Sequence, residues 1–142
     1  MQKMLIVYSL YFALAGIVLY RGFSGVVSII YYITFSYIGF PNILWQNLVL
    51  SVLIQIPAGI LLIFTWHGFV YSKKYIKITG VVGCILTIIY ILYYILIYVI
   101  YGGLSSSILL FEIPDIGLLI FSIFLIVLIL KPRVINKQFK IS

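Results

Sequence analysis

Long runs of apolar residues, separated by short polar segments, organise the whole chain. A helix needs about 20 apolar residues to cross a bilayer. Four runs approach or exceed this length, at about 4–20, 43–70, 77–101 and 113–130. Helix-ending residues follow two of them, with Gly102-Gly103 after the third run and Lys131-Pro132 after the fourth. The pattern predicts an all-α, polytopic membrane helix bundle with four transmembrane helices, built as a single transmembrane domain over 1–142.

The segment 23–40 is also uncharged, but its pattern differs from that of the four runs. It carries hydroxyl side chains at helical spacing, namely Ser24, Ser28, Tyr32 and Ser36. The opposite side of such a helix is apolar and carries Val26, Ile30 and Ile33. This amphipathicity predicts an interfacial or re-entrant helix that does not fully cross the membrane, after a tight turn at Arg21-Gly22. The alternative is a fifth span, which would put Met1 outside.

Three lysines between the second and third runs indicate the orientation. Lys73, Lys74 and Lys77 mark the cytoplasmic side of a membrane protein. We therefore expect a multi-pass protein of the cell membrane whose basic tail, 131–142, is cytoplasmic. The acids Glu112 and Asp115 then lie outside, where we expect them to cap the start of the fourth helix. In the four-span topology Arg21 is also outside, within reach of either acid.

The composition excludes a soluble domain. The 142 residues are 65% hydrophobic and 8% charged, whereas soluble domains carry about a quarter charged residues. The net charge of +7 comes from the lysine loop and the tail, which are expected to rest on anionic lipid headgroups at the cytoplasmic face. The charge therefore does not indicate nucleic-acid binding. A single cysteine, Cys84, precludes an internal disulfide.

A polar face on the second span is the first candidate for function. Asn47, Ser51 and Gln55 recur at intervals of four residues, and Pro57 should kink the helix near position 53. One interpretation is that these side chains bind neighbouring helices, as amides and hydroxyls in membranes commonly do. The other is that they line a polar cavity for a substrate or a quinone.

The third span carries a matching face. Its polar members are Thr87, Tyr90, Tyr94 and Tyr98. Small residues, including Gly80 and Gly83, lie nearer its cytoplasmic end. We expect this face to pack on the second span, with Gln55 near the middle of the tyrosine face and the two glycines near Leu62–Trp66. A proton wire through the tyrosines is the alternative, but no intramembrane acid or lysine is present to load it.

The sequence contains no recognisable catalytic or metal-binding motif. His67 is the only histidine and lies beside Trp66, which is typical of an interfacial anchor. It could instead bind a cofactor shared with a partner chain, although nothing in the sequence requires this. No nucleophile–base pair, phosphate loop or pair of intramembrane carboxylates is present. We therefore expect neither an enzyme nor a bound cofactor or metal.

The C-terminal half resembles a broad class of small, uncharacterised four-helix membrane proteins. The resemblance is carried by the segments 68–74, 113–117 and 130–134, the last reading Leu-Lys-Pro-Arg-Val, and by Phe139. Proteins of this class have a basic loop after the second helix and a Leu-x-Pro-x-Val tail. That tail continues to a phenylalanine, as Leu-x-Pro-x-Val-x-x-x-(Tyr)-Phe, and usually has an acid directly after the proline. In this chain Phe139 lies one place later than the pattern puts it, and Arg133 occupies the position of the acid. The resemblance implies four spans and a cytoplasmic C-terminus, but no activity.

These observations favour a non-catalytic accessory subunit of a larger integral membrane complex, with energy-transducing complexes among the candidates. The aromatic content of 18% suits extensive contacts with lipids and with other integral membrane subunits. The alternative is a small carrier or pore-forming homo-oligomer in which the polar face of the second span lines the path. A membrane enzyme is the third interpretation, and it has the fewest residues to support it.

Overall fold

The fold is built from α-helices throughout the part of the chain that the computed structural model describes. Backbone is described for residues 2–34, 46, 48–71, 73–102 and 106–131, and side chains for 6–34, 46, 48–71, 73–97, 99–100 and 114–131. These residues form four helices and no strand. The helices are α1 (Gln2–Thr34), α2 (Leu48–Val70), α3 (Ile76–Gly102) and α4 (Ser106–Leu130). Asn42, Asn47 and the tail beyond Lys131 lie outside the described residues.

Helix α1 is continuous, so the predicted turn at Arg21-Gly22 is wrong. A single helix runs from Gln2 to Thr34, which also removes the five-span alternative, since that topology reverses the chain at this point. Gly22 serves helix packing instead: a Cβ there would lie 2.7 Å from Cγ1 of Ile56. The serines that follow bond within α1, with Ser24 Oγ donating to the Arg21 carbonyl and Ser28 Oγ to the Ser24 carbonyl. Helix formation therefore satisfies the hydroxyl groups that had indicated a separate segment.

Helix α2 packs between α1 and α3 and runs antiparallel to both. Against α1, the ring of Phe12 meets that of Trp66 at 5.2 Å between centroids near one end, and Gly25 abuts Ser51 near the other. Against α3, a Cβ on Gly83 would lie 3.0 Å from Cγ of Leu62. The predicted contact of the glycines of α3 with the Leu62–Trp66 end of α2 is therefore confirmed, whereas the sequence did not predict the extensive contact between α1 and α2.

Helix α4 begins earlier than predicted. It starts at Ser106 rather than near 113 and contains Pro114 in its interior, which is tolerated because neighbouring helices in a membrane protein compensate for the missing hydrogen bond. Asp115 is consequently not a capping residue, and its side chain is buried. Helix α4 packs along α3, with Ile129 against Gly80, and meets α1 through only a few close approaches.

Three helices are long and apolar enough to cross a membrane, over Ile6–Thr34, Leu48–Val70 and Ile76–Ile97. In α4, the apolar stretch with described side chains is the shorter Pro114–Leu130. The helix packing places the start of α1, the loop around Lys73 and the end of α4 at one end of the bundle, hereafter the lysine end. The core contains aliphatic and aromatic side chains from all four helices, including Tyr11, Leu62, Ile91 and Leu125.

Candidate functional site

Two long side chains join α1 to α4, where the backbones of these helices approach little. The Tyr11 hydroxyl donates to the Leu125 carbonyl at 2.9 Å. Two to three turns further along α1, the guanidinium of Arg21 forms an ion pair with the carboxylate of Asp115. The sequence had placed Arg21 within reach of this acid but as an exposed pair. The Asp115 side chain is only 6% exposed and that of Arg21 29%, so the carboxylate depends on its partner far more than a surface acid would.

Gln55 lies where α2 packs closely against Gly22 of α1. A Cβ on Gly22 would lie 3.6 Å from the backbone carbonyl carbon of Gln55, so the residue after Arg21 touches the residue that carries the amide. Helix α2 widens into a π-helical turn over Ser51–Gln55, just before Pro57. The sequence predicted a kink near position 53, and the structure has a π-helical turn that includes this position; such turns recur at functional sites. Gln55 is 1% exposed, and its Oε1 has no hydrogen-bond partner among the described residues.

Ser122 provides a second unsatisfied group in the interior. Its side chain is fully buried on the inner face of α4, seven residues after Asp115, and its Oγ has no partner within the described part of the chain. Other buried helical hydroxyl groups are satisfied locally: Thr65 donates to the Leu61 carbonyl and Thr87 to the Gly83 carbonyl. The Ser122 hydroxyl differs from them, although the same kind of acceptor precedes it in α4.

The lysine end carries a separate aromatic group around His67. The Nδ1 atom of His67 lies 2.8 Å from the Tyr75 hydroxyl, and its ring packs on Tyr71 at 4.4 Å between centroids. His67 is exposed, whereas Trp66 packs against α1. Among the described side chains, no three His, Cys, Asp or Glu residues lie close enough together to hold a metal ion.

The structure brings only part of the predicted polar face into the interior. Ser51, Gln55, Thr87 and Tyr90 are buried, and Tyr94 is half-buried with its ring 6.1 Å from that of Tyr90. The side chains of Asn47 and Tyr98 lie outside those described. Thr87 bonds to its own helix rather than to α2, so this hydroxyl does not join the two helices.

Sequence reasoning missed Tyr11 and Ser122 as members of the polar interior. Tyr11 lies in the apolar run 4–20, and only its recurrence with Leu14 and Val18 on one helical face indicates burial. Ser122 is the one hydroxyl in the apolar sequence of 116–130, which is the signal that could have identified it. The described interior therefore contains one ion pair, Arg21–Asp115, and two further buried polar groups, the Gln55 amide and the Ser122 hydroxyl.

No protein-family model, curated protein or solved structure matches this chain.

Proposed function

We propose that this protein is a non-catalytic structural subunit of a larger integral membrane complex and that its partner is a helix of another membrane subunit. The observation that carries the proposal is the outer face of α1. Ala13 and Gly16 are exposed there, and no atom lies within 4 Å of a Cβ built on Gly16. Small residues let two helices approach closely in a membrane, where packing rather than hydrophobic transfer drives association.

The corresponding glycine of α4 has different surroundings. Gly117 is exposed and has equally open space, but Ile120 and Phe124 follow it on the outer face of α4 and are both exposed. Bulky exposed side chains also flank Gly16, with Phe12 and Tyr20 about one turn away on either side. The distinguishing feature of α1 is that the exposed Ala13 lies next to Gly16 on the helix surface, which leaves two small residues side by side, and Gly117 offers a matched control.

The interior contacts support a structural role over transport. The polar contacts of Tyr11 and Arg21 join α1 to α4, and the hydroxyl oxygens of Thr65 and Thr79 lie within hydrogen-bond distance, 2.9 Å apart, joining α2 to α3. Ser51 of the predicted polar face lies under Gly25 of α1, so it cannot at the same time face a second copy of the chain across a pore.

We further propose four spans with the lysine end in the cytoplasm of a cell. With both Lys3 and Lys131 at that end, Asp115 lies about 24 Å and Arg21 about 27 Å further along their helices, at a rise of about 1.5 Å per residue. The pair is then close to the outer limit of a hydrocarbon core about 30 Å thick. Helix α1, about 50 Å long by the same rise, projects beyond that limit with its last turns. The lysines at the cytoplasmic face would contact anionic headgroups.

The test is co-purification from native membranes in a mild detergent. Gly16→Leu should remove the stoichiometric partner, because the larger side chain separates the two helices. Gly117→Leu makes the same change at an equally open glycine and should leave the partner bound. Both variants should fold, since neither glycine has a neighbour within 4 Å. The proposal fails if the wild-type protein purifies without a partner, or if both substitutions have the same effect on a partner.

A further inference from the structure

The turn between α2 and α3 is fixed against the end of α2 by several contacts. The Lys73 amide donates to the Gly68 carbonyl at 2.9 Å, and a Cβ on Gly68 would lie 2.9 Å from Cε2 of Tyr75. The ring of Tyr75 therefore packs on the backbone of α2, where its hydroxyl lies 2.8 Å from Nδ1 of His67. The turn thus holds the backbone of Lys73, and of Lys74 after it, close to the residue that follows His67.

The hydrogen bond to Tyr75 prepares His67 to donate to an anion. When the Tyr75 hydroxyl donates to Nδ1, the proton of the neutral ring lies on Nε2, and a protonated ring also donates there. The ring of His67 is exposed, so a molecule outside the bundle can reach it. Tyr75 is in this sense a positioning residue for the imidazole.

The lysines near this ring have no acidic partner at their end of the bundle. Lys73 and Lys74 are exposed, and the exposed Lys77 follows in the first turn of α3. Both acids of the chain, Glu112 and Asp115, lie in the half of α4 that is further from the lysine end. The positive charge of the turn therefore attracts an anion from outside the chain.

An apolar face of α2 continues from His67 towards the middle of the membrane. Ile60 and Phe64 are exposed and lie at helical spacing from His67, so the three side chains follow one outer face of the helix. Tyr71 extends this face at the other end, with its ring 4.4 Å from that of His67 between centroids. A ligand that carries both an anionic group and an apolar chain matches the whole surface.

We propose that His67 and the turn lysines, Lys73 and Lys74, form a binding site for the phosphate group of one anionic phospholipid, whose acyl chain lies along the outer face of α2. Lysine ammonium groups bind phosphate as point charges, and the imidazole N–H adds a directed hydrogen bond. This inference rests on the contact with anionic headgroups proposed above and narrows it from a general attraction to one lipid at one place. It does not depend on the partner subunit, whose contact lies on α1.

The test is native mass spectrometry of the full chain in detergent, titrated with phosphatidylglycerol and, separately, with phosphatidylcholine. The wild-type protein should bind one phosphatidylglycerol more tightly than any further copy and more tightly than phosphatidylcholine. His67→Phe keeps an aromatic ring but removes the N–H donor, and Lys74→Gln removes one charge. Each should weaken binding of the first lipid at least about fivefold.

The matched control is Lys131→Gln, which removes the same charge at the same end of the bundle but from α4, which packs along α3. It should leave the affinity for the first lipid unchanged. The side chains of His67, Lys74 and Lys131 are all exposed, so each variant should fold.

The possible results separate the site from the general contact. Equal weakening by Lys74→Gln and Lys131→Gln, or full affinity in His67→Phe, would overturn the site and leave the general contact standing. If the wild-type protein did not distinguish phosphatidylglycerol from phosphatidylcholine, both would fail. Displacement of the lipid by an equal concentration of glycerol phosphate, which has no acyl chain, would assign the site to soluble phosphates and overturn the assignment to a lipid.

Discussion

The close contact of α2 with α3 makes Gly83 a position where a larger side chain should destabilise the protein. A Cβ there would lie 3.0 Å from Cγ of Leu62 and 3.2 Å from the backbone carbonyl oxygen of Ala58. The leucine side chain could change its rotamer, but the carbonyl belongs to the backbone of α2 and cannot move without displacing the helix. Gly83→Leu should therefore force the two helices apart.

Overpacking of this kind costs about 1–3 kcal/mol, and the fixed carbonyl puts Gly83→Leu near the upper limit of that range. A loss of about 3 kcal/mol lowers the ratio of folded to unfolded protein roughly hundredfold. The assay uses the single buried Cys84 as the reporter: a thiol-reactive fluorophore follows its exposure as the detergent-solubilised protein is heated or titrated with denaturing detergent.

The matched control is Gly117→Leu, which introduces the same side chain on the outer face of α4. No atom lies within 4 Å of a Cβ at that position, so the change in the free energy of unfolding should stay within about 0.5 kcal/mol, as for surface substitutions generally. If Gly83→Leu were as stable as Gly117→Leu, the α2–α3 packing described above would be incorrect.

Three further predictions test other contacts. Arg21→Gln should lower the free energy of unfolding by about 3–5 kcal/mol, because it leaves the buried Asp115 carboxylate unpaired. Asp115→Asn should lower it by less, since the partly exposed Arg21 can extend towards water. If the loss in the double variant equalled the sum of the two single losses, the two residues would not be paired. Tyr11→Phe should lower the free energy of unfolding by about 0.6 kcal/mol, which is the average for interhelical hydrogen bonds in a membrane. The same thiol-exposure assay measures this loss, and an unchanged free energy would show that the hydrogen bond to Leu125 contributes nothing to stability. In a cysteine-free background, Lys73→Cys should react with an impermeant maleimide only after the cytoplasmic face is opened, and labelling from outside intact cells would reverse the topology.

The packing of α2 on α3 could be predicted from sequence because small residues recur on one side of α3. Gly80 and Gly83 leave room for Thr65 and Leu62 of α2, and helical spacing alone identifies that face. Pro57 predicted a kink near position 53, since proline lacks the donor that its preceding turn requires, and a π-helical turn lies at this place in the structure. Both signals come from the shape of the side chain or the backbone and depend little on the surrounding helices.

The continuity of α1 through Arg21-Gly22 could not be predicted from the sequence, because glycine is common both in turns and inside helices where another helix packs closely. Arg21-Gly22 is typical of a turn, but Gly22 and Gly25 lie in a continuous helix where α2 approaches closely. The hydroxyl groups of Ser24 and Ser28 are equally ambiguous, since bonds to carbonyls of the same helix satisfy them without water. Only the partner helix distinguishes these alternatives.

The burial of Asp115 was missed for a related reason. An acid next to a proline in a sequence is typical of a helix start, and that interpretation had placed the beginning of the fourth helix near 113. In the structure α4 begins at Ser106, and Arg21 of α1 neutralises the carboxylate in its interior. A contact between residues 94 positions apart leaves no periodic signal in either segment.

The most direct test of the structural-subunit proposal is native mass spectrometry of the protein ejected from membrane vesicles without prior detergent extraction. The proposal predicts a species in which the 16.2 kDa chain is bound at fixed stoichiometry to at least one different membrane protein, and Gly16→Leu should release it while Gly117→Leu does not. Detection of the chain alone, or only of multiples of its own mass, would contradict the proposal, and the second result would favour a homo-oligomer instead.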